Sequence, residues 1–452
     1  MRTSRRGFLR AAAAGAVGLS AGRRARGAET ASGRPNIILF VSDDHGVEDS
    51  GAYGDRVVRT PNIDRLAAQG MRFTLAFAAS PLCSPSRCVL ETGLMPFRNG
   101  GHKFGTPIRR GVRTMPMYFK ALGYHTVHIG KFHHAPNRQF PYDTVIRSEN
   151  RAPGFIAGYK GSKPLLLLVC SHHPHTPWPK NTLYDPSKVT LPPNFVDTPT
   201  TRRQRCEYYM EVTAADSLLG RVLDAVAKRG WTSNTLMLYT SDQGSNWPFA
   251  KWCLYDAGIR VPLIVRWPDK VKPGSVTNAM VSLVDLLPTF LAAAGAEPAK
   301  GLDGRSVLPV LRGTAQSHRD AVFAAHTGND NGGPGIANHC PMRTVRTATH
   351  KYILNLHPER TFTTHITGCR PGSPHHLPFW GTWVAKAKTD KQAARIVHDY
   401  MHRPKEELYD LTGDPYERNN LAGDAACANV LKSLQKRLTQ WRKQQRDPTL
   451  AK

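Results

Sequence analysis

Ile37-Ile38-Leu39-Phe40-Val41, followed after Ser42 by Asp43-Asp44, is the stretch from which the fold can be read. Five consecutive apolar residues without polar alternation describe a strand buried on both faces, as in a parallel sheet. Thr126–Ile129, Leu165–Val169, Leu236–Tyr239 and Val261–Val265 repeat the pattern. Helical patterns separate them. Thr60-Pro61 opens a segment with Ile63, Leu66 and Ala67 on one face and Gly70 as its stop. A longer helix is expected from about Arg203 to Arg229, with Ala215, Leu218, Leu219, Val222, Leu223 and Val226 as its apolar stripe. Strand alternating with helix predicts an α/β domain, its sheet mostly parallel and covered by helices on both faces.

After about residue 315 the pattern changes. Lys351–Leu356 and Leu408–Leu411 read as strands of a smaller sheet, and Asp414-Pro415 as a turn. Val430, Leu431, Leu434, Leu438 and Trp441 form the apolar face of a last helix, while Thr327–Ile336 reads as a loop. The expected organisation is an export segment over 1–27, a catalytic domain over 28–315 and a smaller α+β subdomain over 316–452. At the N-terminus, Ser4-Arg5-Arg6-Gly7-Phe8-Leu9-Arg10 precedes an uncharged stretch from Ala11 to Gly22. This resembles a twin-arginine signal, cleaved between Gly22 and Ala28; the competing reading is a basic tail. The stretch is too short to span a bilayer, and no other run is long and apolar enough to do so. The expectation is export by the twin-arginine machinery to the periplasm or beyond.

Lys and Arg number 61 against 34 Asp and Glu, a formal charge of +27. Loss of residues 1–27, which hold seven arginines and no acid, would leave +20. The basic residues are dispersed, and no zinc-finger, RNP or basic-zipper pattern occurs, which argues against a nucleic-acid partner. Dispersed positive charge suits steering of a polyanionic substrate, and equally an ordinary basic surface. Eight cysteines without a C-x-x-C pair indicate neither a structural zinc site nor a thioredoxin-like motif.

The residues after each strand carry the chemistry. The first strand runs into Asp43-Asp44, the second into Lys131 and His133, the third into His172-His173-Pro174-His175, and the fourth into Asp242-Gln243. Open α/β sheets bind ligands beyond the carboxyl ends of their strands, so these groups are expected on one rim. Asp43, Asp44 and Asp242 offer carboxylate oxygens and Gln243 a neutral carbonyl oxygen. Crowded carboxylates repel unless a cation sits among them. An all-oxygen set suits Ca²⁺, with Mg²⁺ the stricter alternative; an Asp-Asp pair that only shapes a turn is the competing reading. In Cys83-Ser84-Pro85-Ser86-Arg87, Pro85 is placed for the first turn of a helix capped by Ser84 and ending near Gly93. Cys83 would then precede a helix N-terminus, where free N–H groups favour negative charge. Alone, it could equally be a buried small hydrophobe.

Cys83-Ser84-Pro85-Ser86-Arg87 with downstream Thr92-Gly93 resembles the type I sulfatase signature, C-x-P-S-R followed by T-G. Arg34-Pro35-Asn36, Thr60-Pro61-Asn62-Ile63-Asp64, Ile129-Gly130-Lys131, His172-His173-Pro174-His175, Thr240-Ser241-Asp242-Gln243-Gly244 and Glu407-Leu408-Tyr409-Asp410-Leu411 match the same family in order. The resemblance implies an alkaline-phosphatase-like sulfatase fold and oxidation of Cys83 to formylglycine by a dedicated formylglycine-generating enzyme. It further implies that Asp43, Asp44, Asp242 and Gln243 hold Ca²⁺ together with residue 83, and that Arg87 steadies the aldehyde hydrate. Lys131 and Lys251 would grip sulfate, His133 would help the hydrate lose a proton, and His175 would bind or protonate the leaving group. A hydrated aldehyde carries two hydroxyls on one carbon: one attacks sulfur, and the other re-forms the carbonyl and expels sulfate. Many members carry Asn where this chain has Gln243. His172 and His173 are left as supporting or substrate-facing residues.

Asp49-Ser50-Gly51-Ala52-Tyr53-Gly54, Arg98-Asn99-Gly100, Pro341-Met342-Arg343-Thr344-Val345 and Asn355-Leu356 resemble the N-sulfoglucosamine sulfohydrolase (heparan N-sulfatase) branch of that family. The branch often reads H-D-P-H where this chain has His173. The implied substrate is a sulfated sugar or glycosaminoglycan, cleaved at a glucosamine N-sulfate. The alternatives are an O-sulfatase of another polysaccharide, an arylsulfatase, a phosphonate or phosphodiester hydrolase, and a non-catalytic sulfated-glycan-binding protein.

Overall fold

Eight strands build the central sheet of the computed structural model, which describes residues 33–134, 137–328, 339–369, 371–373 and 376–450. The expected export segment 1–27 and the Thr327–Ile336 loop beyond residue 328 lie outside the described residues. In chain order the strands are β1 (Asn36–Ser42), β2 (Met71–Phe73), β3 (His125–Gly130), β4 (Thr144–Ile146), β5 (Leu165–Cys170), β6 (Thr235–Ser241), β7 (Leu263–Arg266) and β8 (Ser275–Thr277). Across the sheet they lie in the order β4-β3-β5-β1-β6-β7-β2-β8. The first five of these neighbours run parallel, whereas β7 is antiparallel to both β6 and β2.

The continuous apolar runs have the consequence expected of them. Ile37, Leu39 and Val41 enter one core with Leu166, Leu168, Leu236 and Leu238. Ile38 and Phe40 enter another with Leu165, Leu167, Val169, Met237 and Tyr239 on the opposite face. That second face is covered by α1 (Pro61–Ala68) and by a long helix, α3 below, whose residues Leu218, Leu219, Val222, Leu223 and Val226 are buried there. Two expectations need correction. The run Val261–Val265 does not continue the parallel set, because the chain between β6 and β7 stays on the carboxyl rim and re-enters the sheet from that side. The helix named α2, Cys83–Thr92, starts at Cys83 itself, with Leu82 in extended geometry as its N-cap. Ser84 therefore sits inside the first turn, and its hydroxyl caps nothing. Gly93 ends the helix in the left-handed region at φ 65°. The long helix, α3, spans Pro199–Lys228 and begins four residues before the apolar stripe suggested, capped by the Thr198 side chain accepting from Thr201 N–H.

A second, antiparallel sheet holds β9 (Ala321–His326), β10 (Met342–Thr347), β11 (His350–Asn355) and β12 (Glu406–Asp410) in sequential order. Helix α4 (Ala428–Gln444) covers it through Leu434, Leu438 and Trp441, with Trp441 stacked on Phe323 at 5.2 Å. Strand β10 escapes an apolar reading because Arg343 and Arg346 alternate with its apolar residues yet are buried. Lys351 and Arg346 meet Asp256, and Lys351 also meets Glu417 at 2.9 Å, tying the small sheet to the large one. All eight cysteines are free thiols. Among the described residues no helix is long and apolar enough to cross a membrane.

Arg343 is fully buried and donates to Asp447 from Nε and Nη2 at 2.7 and 2.9 Å, while its guanidinium lies over the Phe97 ring. Burial would raise the Asp447 carboxyl, but Arg343 and then Arg442 hold it well below the usual carboxylate range. A carboxyl depressed on folding contributes stability that is complete above its unfolded value of about 4 and is lost as pH falls towards the folded value. Arg343→Met should lower the free energy of unfolding by about 3 kcal/mol at neutral pH, read by urea titration, since one partner of a buried pair is removed. The deficit should shrink as the pH is taken below about 4.

Candidate active site

Because β1, β3, β5 and β6 are parallel neighbours, their carboxyl ends emerge side by side. The backbone ladder continues past them: Asp43 N–H donates to His173 O at 3.0 Å, Asp242 N–H to Ser42 O at 3.2 Å and Lys131 N–H to Cys170 O at 2.8 Å. Asp43, Asp44, Asp242 and Gln243 are fully buried at this rim. Asp44 adopts φ 68°, a left-handed conformation that turns the chain sharply after β1. Its backbone N–H then donates to Asp242 Oδ1 at 3.2 Å.

Helix α2 docks end-on against this rim. Ser86 Oγ donates to Asp242 O at 2.5 Å, and Arg87 Nε donates to Asp242 Oδ2 at 2.9 Å. Cys83 and Arg87, four residues apart, lie on the same side of the helix. Gln243 Nε2 is 3.6 Å from Cys83 Sγ and also donates to Asp44. Three cations answer the three carboxylates. Arg87 pairs with Asp242 and, at 3.6 Å, with Asp43; Lys131 pairs with Asp43; Lys251 Nζ lies 2.6 Å from Asp44. His175 Nε2 is 3.7 Å from the same Asp44 oxygen. Lys251 arrives from the loop between β6 and β7. Phe249 and Trp252, on either side of it, hold φ 63° and 75°, costly for bulky side chains and tolerated because the loop is locked in place.

The charges shift one another. Burial raises the Asp43 carboxyl, yet Lys131, His175, Arg87 and Lys251 together bring it well below the usual range. Asp242 goes the other way: burial, and then Asp43 and Asp44 against the pull of Arg87, push it up to about 7. Burial pushes the Cys83 thiol up to about 11 despite Lys131 and Lys251. An unmodified Cys83 is therefore a neutral thiol at physiological pH and a poor nucleophile. Burial, followed by Lys131 and Arg87, lowers His133 to about 3. Burial and Lys251 likewise lower His175.

The donor chemistry fits a hard divalent cation. Among the described residues Asp43 Oδ1 and Gln243 Oε1 are buried oxygens with no hydrogen-bond partner, and ligand atoms of Asp43, Asp242 and Cys83 lie within 4.8 Å of one another. A cation among them would satisfy those oxygens and relieve the crowding that raises Asp242. The structure thus brings together Asp43, Asp44, Cys83, Arg87, Lys131, His175, Asp242, Gln243 and Lys251. His133 stands at the edge, its Nδ1 without a hydrogen-bond partner among the described residues and its ring edge-on to Phe104 at 5.1 Å. His172 and His173 sit further out, on Glu149 at 2.9 Å and Glu211 at 2.5 Å. Neither acid was legible as a site residue, since Glu149 lies in a short turn and Glu211 on a helix without a motif. Lys131, His133 and His175 keep partial exposure, which places the mouth of the site on their side.

A buried thiol at a helix start, ringed by carboxylates and ammonium groups, thus stands at the carboxyl edge of the parallel sheet of an alkaline-phosphatase-like fold. The chain belongs to the sulfatase family: the sulfatase profile matches residues 35–153 and 147–296, and that of the N-sulphoglucosamine sulphohydrolase C-terminal region matches 244–360. It is 31% identical over 431 residues to an ulvan-active sulfatase of Formosa agariphila, covering 92% of this chain and 81% of that protein. To the N-sulphoglucosamine sulphohydrolase of Homo sapiens it is 29% identical over 469 residues, covering 91% of each. A solved structure of a protein in complex with its substrate, D-glucosamine-2-N,6-O-disulfate, superposes with a TM-score of 0.69 at 22% identity, over 92% of this chain and 98% of that one. The protein is a sulfatase, hydrolysing sulfate esters or sulfamates.

Replacing Lys131 or Lys251 by Met removes a buried positive group aimed at the site centre. Each should lower kcat/KM by about 10²–10³-fold, the loss expected for one preorganised electrostatic donor. Steady-state assay beside a far-ultraviolet circular dichroism spectrum checks that the loss is one of function.

Proposed function

We propose that this sulfatase acts on a sulfated glycan, at the N-sulfate of glucosamine, through formylglycine made from Cys83 and with Ca²⁺ at the rim. The observation that carries the reading is the position of Cys83: buried at the first turn of α2, beside three carboxylates and three cations, with a thiol too high in pKa to serve unmodified. In the mature enzyme the oxygens of a hydrated aldehyde would stand where Sγ stands. Asp43, Asp44, Asp242 and Gln243 would hold Ca²⁺, which supplies positive charge to a sulfate oxygen. Arg87, fixed by Asp242, keeps residue 83 in place. Lys131 and Lys251 face the same centre and suit sulfate oxygens. His133, neutral through burial, accepts a proton from residue 83. His175, at the mouth, delivers one to the departing group.

The N-sulfate rests on likeness to the human N-sulphoglucosamine sulphohydrolase and on branch-specific segments. An amine is a poor leaving group, so a proton donor such as His175 matters more for it than for a phenolate. The O-sulfate reading is favoured by the ulvan-active relative and by His173, which stands where the branch carries an acid. Export by the twin-arginine route and maturation by a formylglycine-generating enzyme complete the proposal.

Mass spectrometry of the tryptic peptide Phe73–Arg87 should find formylglycine at position 83. Recovery of intact thiol throughout, with full activity, would overturn the mechanism. Cys83→Ala should abolish turnover, and Cys83→Ser should release at most one product per enzyme. After removal of divalent ions, Ca²⁺ should restore activity better than Zn²⁺; full restoration by Zn²⁺ alone would count against the oxygen-ligand assignment. N-sulfoglucosamine, glucosamine-6-sulfate and an aryl sulfate compared at fixed salt decide the bond. His175→Ala should damage the first far more than the last, and 6-O-desulfation without N-desulfation would refute the N-sulfate.

A further inference from the structure

Behind the site, α2 continues for two turns past Cys83 to Glu91, which the chemistry above does not use. Glu91 is 2% exposed and meets two buried histidines, His128 of β3 and His134 of the loop after β3. One ligand atom from each lies within 4.8 Å of the other two. Glu91 Oε2 accepts from the Tyr142 hydroxyl at 2.6 Å, and Oε1 is 2.6 Å from His134 Nε2. Yet among the described residues neither ring nitrogen of His134 makes a hydrogen bond of acceptable direction, and neither nitrogen of His128 has a hydrogen-bond partner. Rings of Phe132 and Tyr142 close around His128 at 4.6 and 5.2 Å, so water has little access.

An imidazole buried with both nitrogens unpaired is expensive, because neither nitrogen regains the hydrogen bond it made to water. A simple buried Glu91–His134 pair leaves that cost on His128 in place. A metal ion removes it. We propose that Glu91, His128 and His134 form a second, structural site for a divalent transition metal of the zinc class, separate from the oxygen-rich rim. Two imidazoles and one carboxylate are the donor types zinc takes, with a fourth tetrahedral position left to a water. Tyr142 supplies the outer hydrogen bond that aims the carboxylate. The three ligands join β3, α2 and the loop Lys131–His134. The ion would therefore pin the loop that carries Lys131 and His133 to the helix that carries Cys83 and Arg87.

The test uses the full chain, stripped with a chelator and dialysed against Zn²⁺ with excess Ca²⁺ to occupy the oxygen site. Elemental analysis should find one tightly held zinc per chain, retained in Asp242→Asn and lost in Glu91→Gln and His134→Leu. Zn²⁺ should raise the Tm of the wild type and leave that of His128→Phe, whose ring suits the aromatic surroundings, unmoved. Should the polar variants fail to fold, Co²⁺ bound to the wild type decides alone: an intense tetrahedral spectrum with nitrogen ligands supports the site. Folded wild type that retains no zinc, zinc that survives in His128→Phe, or only a weak six-coordinate oxygen-type cobalt spectrum would overturn it.

Discussion

Asp43, Asp44 and Asp242 are fully buried at the end of their strands, and the structure around them follows from the need to answer that charge. A carboxylate taken out of water costs several kcal/mol unless it is paired and hydrogen-bonded. Arg87, Lys131 and Lys251 supply the pairing, and each comes from a different element: a helix, a strand end and a strained loop. To deliver them, α2 docks end-on at the rim and the loop carrying Lys251 holds two bulky residues in the left-handed region. The balance is also incomplete. With Asp242 pushed upward and two buried oxygens unpartnered, the cluster has room for further positive charge. A site poised in this way receives an anionic group and a cation together more readily than either alone.

Much of the rim could be read from the chain, because a parallel sheet converts one-dimensional order into neighbourhood. Ile37–Val41, Leu165–Val169 and Leu236–Tyr239 are apolar on both faces, and their carboxyl ends had to meet. Other parts were less legible for physical reasons. Strand β10 looks polar because Arg343 and Arg346 are buried through ion pairs and aromatic faces that lie far off in the chain. The pairing of His173 with Glu211 joins residues 38 apart on separate elements, and no local pattern announces it. Lys251 is placed by backbone geometry around it, which leaves no periodic trace in sequence.

The residues that mark the N-sulfatase branch prove to be scaffold. The Tyr53 hydroxyl accepts from Leu263 N–H at 2.8 Å, Asn99 Oδ1 accepts from Gly101 N–H at 2.7 Å, and Arg343 is held by Asp447. None of these contacts faces the mouth of the site. They report shared ancestry through shared packing, whereas the position where this chain departs from the branch, His173, stands at the rim on Glu211.

Cys83 is 1% exposed, and what encloses it is distant in the chain. Asp242, Gln243 and Lys251 are synthesised some 160 residues later, yet they form its roof. Chains emerge N-terminus first, and contacts of such long separation form late. The segment from Leu82 to Arg87 is thus open to another protein while the ribosome is still making α3, and shut once β6 joins the sheet. Any enzyme that oxidises this thiol works against a clock set by translation and closure.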